Sequence, residues 1–218
     1  MEKGILNNVK AKIEEEFIIS KGINYVDECF NYELIFQKLE DFIIKNLPAK
    51  YTYHSIDHFR DVVVQAERIA MMEKVEKSLV NDIKLAAWLH DVGFVWGQEN
   101  HEETSAEYAK ILLKKLNFPD FKIDLISGMI LSTKIPQSPK NIYEKILCDA
   151  DLDYLGRDDY FIISSKLLKE LELKNNLTPN EWIYLQSNFI KSHKYFTITS
   201  RKLREKKKQK NLSEIQKH

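Results

Sequence analysis

The sequence has 218 residues, and its 33 basic and 33 acidic side chains give a formal net charge of zero. This length suffices for one domain with a sizeable core, and the balanced charge provides no overall field that would draw nucleic acid or an anionic membrane. No stretch approaches 18 uncharged apolar residues, so we expect no membrane-spanning helix. Cys29 and Cys148 form no C-x-x-C motif, which favours the reducing cytoplasm as the compartment.

Apolar residues recur at helical spacing along almost the whole sequence. In the first such stretch, Ile5, Val9, Ile13 and Phe17 lie four residues apart and form one stripe. No stretch shows the alternation of a half-buried strand, and six glycines and five prolines are few for the turns of a β-rich fold. The sequence therefore predicts an all-α protein, a single-domain helical bundle.

Capping residues and helix breakers set the boundaries of nine predicted helices. Pro48 ends the second helix, Gly156 closes the seventh, and Thr178-Pro179 with Glu181 forms a capping box that starts the ninth. In chain order, the predicted helices cover about residues 5–17, 34–47, 56–73, 78–90, 102–116, 119–133, 142–155, 158–173 and a segment from 179 onwards.

One apolar helical stretch, residues 85–94 (LAAWLHDVGF), ends in an adjacent histidine and aspartate, His90 and Asp91. A buried carboxylate without a partner is costly, so such a pair is normally satisfied by hydrogen bonds, a cationic partner or a metal. A helix end with an aspartate near a C′ glycine, here Gly93, is the alternative interpretation.

Other imidazoles and carboxylates fall on the inward faces of predicted helices. His58 is in step with Val62, and Asp151 is in step with the apolar residues one turn before and after it. A single inward histidine is more often a core residue satisfied by a neighbour. Together with the His90-Asp91 pair, however, these side chains supply the neutral imidazoles and ionised carboxylates that a metal site with nitrogen and oxygen ligands requires.

The order of these residues resembles a known signature. His58, the His90-Asp91 pair and Asp151 resemble the H…HD…D signature of the HD-domain superfamily of metal-dependent phosphohydrolases. The resemblance covers about residues 47–156 and implies an all-α bundle of the HD-domain type.

Longer segments around these residues resemble the family's motifs as well. They are YHSIDH at 53–58 followed by Val62, similar to the Y-H-x-x-x-H-x-x-x-V segment of HD hydrolases and cyclic nucleotide phosphodiesterases; LHDVG at 89–93, similar to L-H-D-[IV]-G; and ADL at 150–152, similar to the A-D-L step. The run 147–157 also resembles a bacterial subgroup of stand-alone predicted HD hydrolases.

The resemblance implies that His58, His90, Asp91 and Asp151 are ligands of a divalent metal ion. The identity of the metal is left open among Mn, Fe, Zn, Co, Ni and Mg. Asp149 is a rival for the last ligand position, because the D-x-D run offers two carboxylates. The two lie roughly 200° apart around a straight helix, so both can hardly face one ion.

The resemblance also implies catalytic roles for two further histidines. His54 is the expected general acid, which protonates the leaving alkoxide while metal-activated water attacks the phosphorus. His101 resembles the downstream histidine of HD proteins that hold two metals, and a solvated helix start is the alternative interpretation for it.

The expected substrate is a small-molecule phosphoester, such as a nucleotide or a cyclic nucleotide. Lys134 and Arg157 are the candidate phosphate contacts, and Asp149 is a candidate for substrate affinity or for pairing with Arg157. A metal-containing sensor that binds a nucleotide or alarmone without turnover is the alternative. The oligomeric state is left open.

The chain divides into an N-terminal helical extension (1–30), an HD-type catalytic core (31–175), and a C-terminal helix with a basic tail packed on the core (176–218). Residues 201–210 hold seven basic side chains and one acidic side chain. This run lacks interleaved aromatic residues, so a solvated face of a polar helix is favoured over nucleic-acid binding.

Overall fold

The computed structural model describes residues 3–16, 30–172 and 177–217, and within these ranges it contains helices and no strand. The helices are α1 (Lys3–Glu16), α2 (Tyr32–Asn46), α3 (Ile56–Met72), α4 (Lys77–Leu89), α5 (His101–Lys115), α6 (Asp120–Ser132), α7 (Ile142–Asp151), α8 (Tyr160–Glu172), α9 (Pro179–Ser192) and α10 (Ile198–Ile215). The all-α prediction is confirmed. None of these helices combines the length and apolar composition needed to cross a bilayer.

One predicted helix boundary is wrong, and it lies at Asp151, one of the candidate metal ligands. The continuous helix expected over 142–155 ends at Asp151, where Leu152 leaves the helical backbone (φ −106°, ψ 17°), and a 3₁₀ turn, Asp153–Gly156, follows. The capping box of α9 is present: the Thr178 N–H donates to Glu181 Oε2 (2.8 Å), and the Glu181 N–H donates to Thr178 Oγ1 (3.3 Å). Three residues of the sequence predictions, Phe17, Cys29 and Leu173, lie outside the described ranges.

Four helices form the centre of the bundle. Helix α3 packs against α4 and α7, α4 packs also against α6, and α5 covers α6. The contact faces are apolar: Ile69 of α3, Ala86 of α4 and Ile146 of α7 are fully buried. Burying a large aliphatic side chain stabilises the fold by about 1.5–3 kcal/mol. This packing fixes the start of α3 and the ends of α4 and α7 relative to one another.

The C-terminal segment forms a predominantly polar helix, α10, that belongs to the packed structure. Thr197 caps α10 by accepting a hydrogen bond from the Ser200 N–H, and the helix packs on the Asp153–Gly156 turn, on α9 and on α3. Lys208 and Asn211 are buried, whereas Arg201 and Lys202 are exposed. The predicted solvated face of a polar helix over residues 201–210 therefore describes only the outer face of α10.

Candidate metal centre

Three helix ends deliver four polar side chains to one point. His58 is the third residue of α3, His90 and Asp91 directly follow α4, and Asp151 is the last residue of α7. The His90 Nδ1–H donates to the Ala87 carbonyl (2.7 Å). Because a carbonyl can only accept, the other ring nitrogen, Nε2, is left free to face the cluster.

The two imidazole nitrogens lie close to each other and to both carboxylate oxygens, at separations expected around a metal ion. His58 Nε2 and His90 Nε2 are 3.2 Å apart. Asp91 Oδ2 lies 3.4 and 3.2 Å from these two nitrogens, and Asp151 Oδ1 lies 3.3 and 3.6 Å from them. Four ligands at about 2.0–2.2 Å from a tetrahedral ion are about 3.4 Å apart. The chemistry of the donors and their convergence both fit a divalent cation.

The buried imidazoles and carboxylates of the cluster shift one another's pKa values toward the charged forms. Burial alone would lower the pKa of the His90 imidazole, but the neighbouring Asp91 and Asp151 carboxylates raise it well above its usual value. Burial alone would likewise raise the pKa of Asp151, but hydrogen bonds from His58 and His90 lower it to about 2. The carboxylates therefore stay ionised and favour positive charge between them, as a metal ligand set requires.

His54 lies beside this cluster and is held by a carboxylate that the sequence analysis missed. Its Nδ1–H faces Glu170 Oε1 of α8 (2.5 Å), its Nε2 lies 3.9 Å from Asp91 Oδ2, and its ring stacks on Phe94 with centroids 4.0 Å apart. Glu170 also accepts from the backbone N–H groups of Tyr53 and His54 (3.0 and 3.1 Å). One sequence signal was present, because Glu170 is in step with the apolar stripe of α8.

His101 joins the cluster from the start of α5. Its Nδ1–H donates to the Gln98 carbonyl (2.9 Å), and its Nε2 lies 3.3 Å from Asp91 Oδ1. This approach requires the glycine of the LHDVG motif, because a Cβ at Gly93 would lie 2.2 Å from the His101 carbonyl oxygen. Asp91 thus faces His58 and His90 with one oxygen and His101 with the other.

Asp149 points away from the metal centre. Its carboxylate accepts hydrogen bonds from the Phe196 N–H (2.8 Å), the Thr197 N–H (2.8 Å) and the Thr197 hydroxyl (2.7 Å), and it is fully buried. The two aspartates of the D-x-D run therefore face different partners, and Asp151 is the one beside His58 and His90. The expected pairing of Asp149 with Arg157 is wrong, because Arg157 binds Asp61 and Asp159 instead.

The two candidate phosphate contacts are both engaged in ion pairs. Lys134 is half-exposed and pairs with Glu103 of α5. Arg157 binds Asp61 through Nη1 (2.7 and 2.8 Å) and Asp159 through Nε and Nη2 (2.9 and 2.8 Å). The structure does not bring either cation into direct contact with the four donor atoms.

A cavity of about 410 Å³ adjoins His58. It lies between the start of α3, the Asp153–Gly156 turn and α8. Its walls combine aromatic, aliphatic and charged side chains, among them Tyr53, Tyr154, Ile162, Arg157 and Lys166. A separate cavity of about 450 Å³ is lined by Lys134 and Glu144, among other residues.

Comparison with known proteins supports what the geometry indicates. The family model described as the HD domain matches residues 55–153. These residues form an HD domain. HD domains bind divalent metal ions, and the cluster of His58, His90 and Asp151 has the donors to hold one. The superfamily consists of metal-dependent hydrolases.

A solved structure shares the fold. It is the crystal structure of a predicted HD superfamily hydrolase from an uncultured Thermotogales bacterium, with 23% sequence identity and a TM-score of 0.56, over 83% of this chain and 89% of that one. None of the curated protein sequences matches the chain significantly. The HD-domain match ends at residue 153, so Glu170 and α10 lie outside it.

Proposed function

We propose that this protein is a metal-dependent phosphohydrolase that cleaves a phosphoester, with nucleotides and cyclic nucleotides as the first substrates to examine. The observation that carries the proposal is the convergence of two imidazole nitrogens with two carboxylate oxygens, each oxygen lying 3.2–3.6 Å from both nitrogens. A third imidazole, that of His54, lies next to them. Replacing a buried ion pair by apolar side chains is often neutral or stabilising, so the stability of the fold does not account for this cluster.

The residues that would hold the cation are His58, His90, Asp91 and Asp151. When bound, a divalent ion supplies Lewis-acid chemistry, lowering the pKa of water and polarising a phosphoryl oxygen. The protein's own contribution is to hold the donors in place before binding. The Ala87 carbonyl fixes the tautomer of His90, and hydrogen bonds of this kind orient metal-ligating histidines.

His54 is suited to deliver a proton to the departing oxygen. Its Nδ1–H is committed to the Glu170 carboxylate, so Nε2, on the side of Asp91, is the nitrogen that can exchange a proton. In the proposed reaction, water forms a new P–O bond and loses a proton to solvent, and the bond from phosphorus to the ester oxygen breaks. That oxygen takes the proton from Nε2, and the neutral His54 imidazole regains a proton from solvent after the product leaves. The Glu170 carboxylate keeps the ring oriented through its contact with Nδ1.

The cavity beside His58 supports a substrate with an organic group larger than a methyl ester. Its volume of about 410 Å³ lies within the usual range for small-molecule sites. The rings of Tyr53 and Tyr154 offer apolar surface, and Ser55 and Lys166 offer hydrogen-bond donors. Arg157 lines this cavity and stays the proposed phosphate contact there. The roles of Lys134 and Asp149 in substrate binding stay predictions.

A metal-supplemented screen tests the proposal. The full-length protein is assayed with Mn²⁺, Zn²⁺, Co²⁺, Ni²⁺, Fe²⁺ or Mg²⁺ against nucleoside monophosphates, cyclic nucleotides and an aryl phosphodiester, beside His90→Ala purified in the same way. We expect release of phosphate or alcohol by wild type with at least one metal, and none by His90→Ala. Equal release by both proteins, or no release from any phosphoester by metal-loaded wild type, would contradict the proposal.

A further inference from the structure

The segment that carries Asp151 is held from both sides by the C-terminal part of the chain. On the N-terminal side of Asp151, the Asp149 carboxylate accepts three hydrogen bonds from Phe196 and Thr197, at 2.7–2.8 Å. Thr197 is also the N-cap of α10. The entry into α10 is therefore tied to the last turn of α7.

On the other side of Asp151, Asp153 is tied to the middle of α10. Arg204 Nε donates to Asp153 Oδ1 (2.9 Å), and Arg68 Nη2 of α3 donates to the same oxygen (2.9 Å). The Asp153 side chain is 1% exposed, whereas the Arg204 side chain is 19% exposed. Asp153 thus links α10 to α3, the helix that carries His58.

The backbone after Asp153 lies directly against α10. The Asn211 side chain donates to the carbonyls of Leu155 and Arg157, both at 3.0 Å. Gly156 has no room for a side chain, because an added Cβ would lie 2.5 Å from the Arg204 carbonyl oxygen. This contact needs no unusual backbone angle at Gly156. It needs only the absence of a Cβ.

We infer that α10 is a positioning element for the metal ligand Asp151, and that Arg204 acts on metal affinity through Asp153. The regular helix stops at Asp151, so the direction of that carboxylate depends on what holds the residues just before and after it. In the described part of the chain, those residues are held by the start of α10, by Arg204 and by Asn211. This inference rests on the proposed metal centre and extends it beyond the HD-domain match, which ends at residue 153.

A pair of charge-matched variants tests the role of Arg204. Arg204→Gln and Lys207→Gln each remove one positive charge from the same face of α10, but Lys207 pairs with the highly exposed Asp158 instead of Asp153. Each full-length protein is stripped with a chelator and titrated with Co²⁺, and its thermal unfolding is recorded in parallel. We expect the Co²⁺ dissociation constant to rise about tenfold in Arg204→Gln, the lower end of the range for residues that orient metal ligands, and to stay within about twofold in Lys207→Gln.

Gly156→Ala is the second variant, since it pushes α10 away from the turn without changing any charge. We expect it to weaken Co²⁺ binding in the same direction. Arg204→Lys, which keeps the charge, should recover part of the affinity. Val9→Ala, a buried substitution in α1, controls for loss of stability alone, and it should lower the unfolding temperature with no change in Co²⁺ affinity.

The outcomes separate this inference from the proposed function. Unchanged Co²⁺ affinity in folded Arg204→Gln and Gly156→Ala, with wild type binding tightly, would overturn the role of α10 and leave the metal centre standing. Equal weakening of Co²⁺ binding in Lys207→Gln would show that the loss of any positive charge from α10 has this effect. That result would also overturn the role proposed for α10. Failure of wild type to bind Co²⁺ would overturn the metal centre and this inference together.

Discussion

Asp151 and Asp153 are two residues apart on one segment, and they lie in clusters of opposite character. Asp153 is bound by the guanidinium groups of Arg68 and Arg204. Asp151 lies against the imidazoles of His58 and His90. Both carboxylates are shielded from solvent, since the side chain of Asp153 is 1% exposed and that of Asp151 is 14% exposed.

The difference lies in how the negative charge is compensated. Guanidinium groups carry a permanent charge, so the negative charge of Asp153 is compensated without any ligand. Imidazoles can give up their protons and ligate a cation through the freed nitrogen. The first cluster therefore fixes helices to one another, and the second is open to exchange protons for a metal ion. Acidic residues alone do not mark a metal site. The type of side chain around a buried carboxylate determines whether it can bind a metal ion.

Replacing Asp151 should produce the largest effect. Asp151→Asn puts a neutral amide in place of an anionic ligand, and we expect the purified protein to lose its metal, as measured by elemental analysis. Asp149→Asn is the matched control two residues away. It should keep the metal and lose about 1–3 kcal/mol of stability, because one buried donor from Phe196 or Thr197 is left without an acceptor. Metal retained in Asp151→Asn and lost in Asp149→Asn would reverse the assignment.

The next largest effect is expected at His54, which should matter for turnover more than for metal binding. We expect His54→Gln to keep its metal content and to lower kcat by about 10²–10⁴-fold, the usual range for a general acid or base. The loss should be greatest on esters with poor leaving groups. Full activity of His54→Gln on such an ester would contradict the acid role, and loss of metal would make His54 a ligand instead.

A smaller effect is expected at Glu170, which orients His54 without reaching the cluster. We expect Glu170→Gln to lower kcat by about 10–100-fold, as is usual for residues that orient reactive histidines, with little change in KM or in metal content. The double variant with His54→Gln should be no slower than His54→Gln alone, because both substitutions affect one proton transfer. Additive losses would show that Glu170 acts by another route.

The effect on metal binding expected at Asp153 is much smaller than the effect expected at Asp151. Asp153→Asn leaves two cations without their shared partner, and we expect a loss of about 2–4 kcal/mol of stability, somewhat below the range for a fully buried pair because Arg68 and Arg204 are partly exposed. Co²⁺ affinity should fall only about tenfold. Loss of metal as complete as in Asp151→Asn would erase the distinction between the two clusters.

The fold and the histidine cluster could be predicted because both depend on short-range patterns. The apolar spacing around Ile69 and Ala86 marks buried helix faces, and the LHDVG motif already contains two donors and the glycine that admits His101. Helical geometry indicated that Asp149 and Asp151 face different sides of α7, and the apolar register of Asp151 together with the A-D-L motif favoured Asp151 as the ligand.

The partners that complete the site could not be predicted, because they are far away in sequence. Glu170 lies 116 residues from His54, and Arg204 lies 51 residues from Asp153. Nothing in a single sequence pairs residues at such separations. The break in α7 at Asp151 was missed for the same reason, because contacts with residues 196–211 hold the segment that leaves the helix.

The most direct measurement is a crystal structure of the metal-loaded protein with anomalous diffraction recorded at the absorption edge of the metal. We expect one strong anomalous peak at about 2.0–2.2 Å from the donor atoms, which are His58 Nε2, His90 Nε2, Asp91 Oδ2 and Asp151 Oδ1. A peak bound elsewhere, or a fully loaded protein without a peak between these residues, would contradict the metal centre described above.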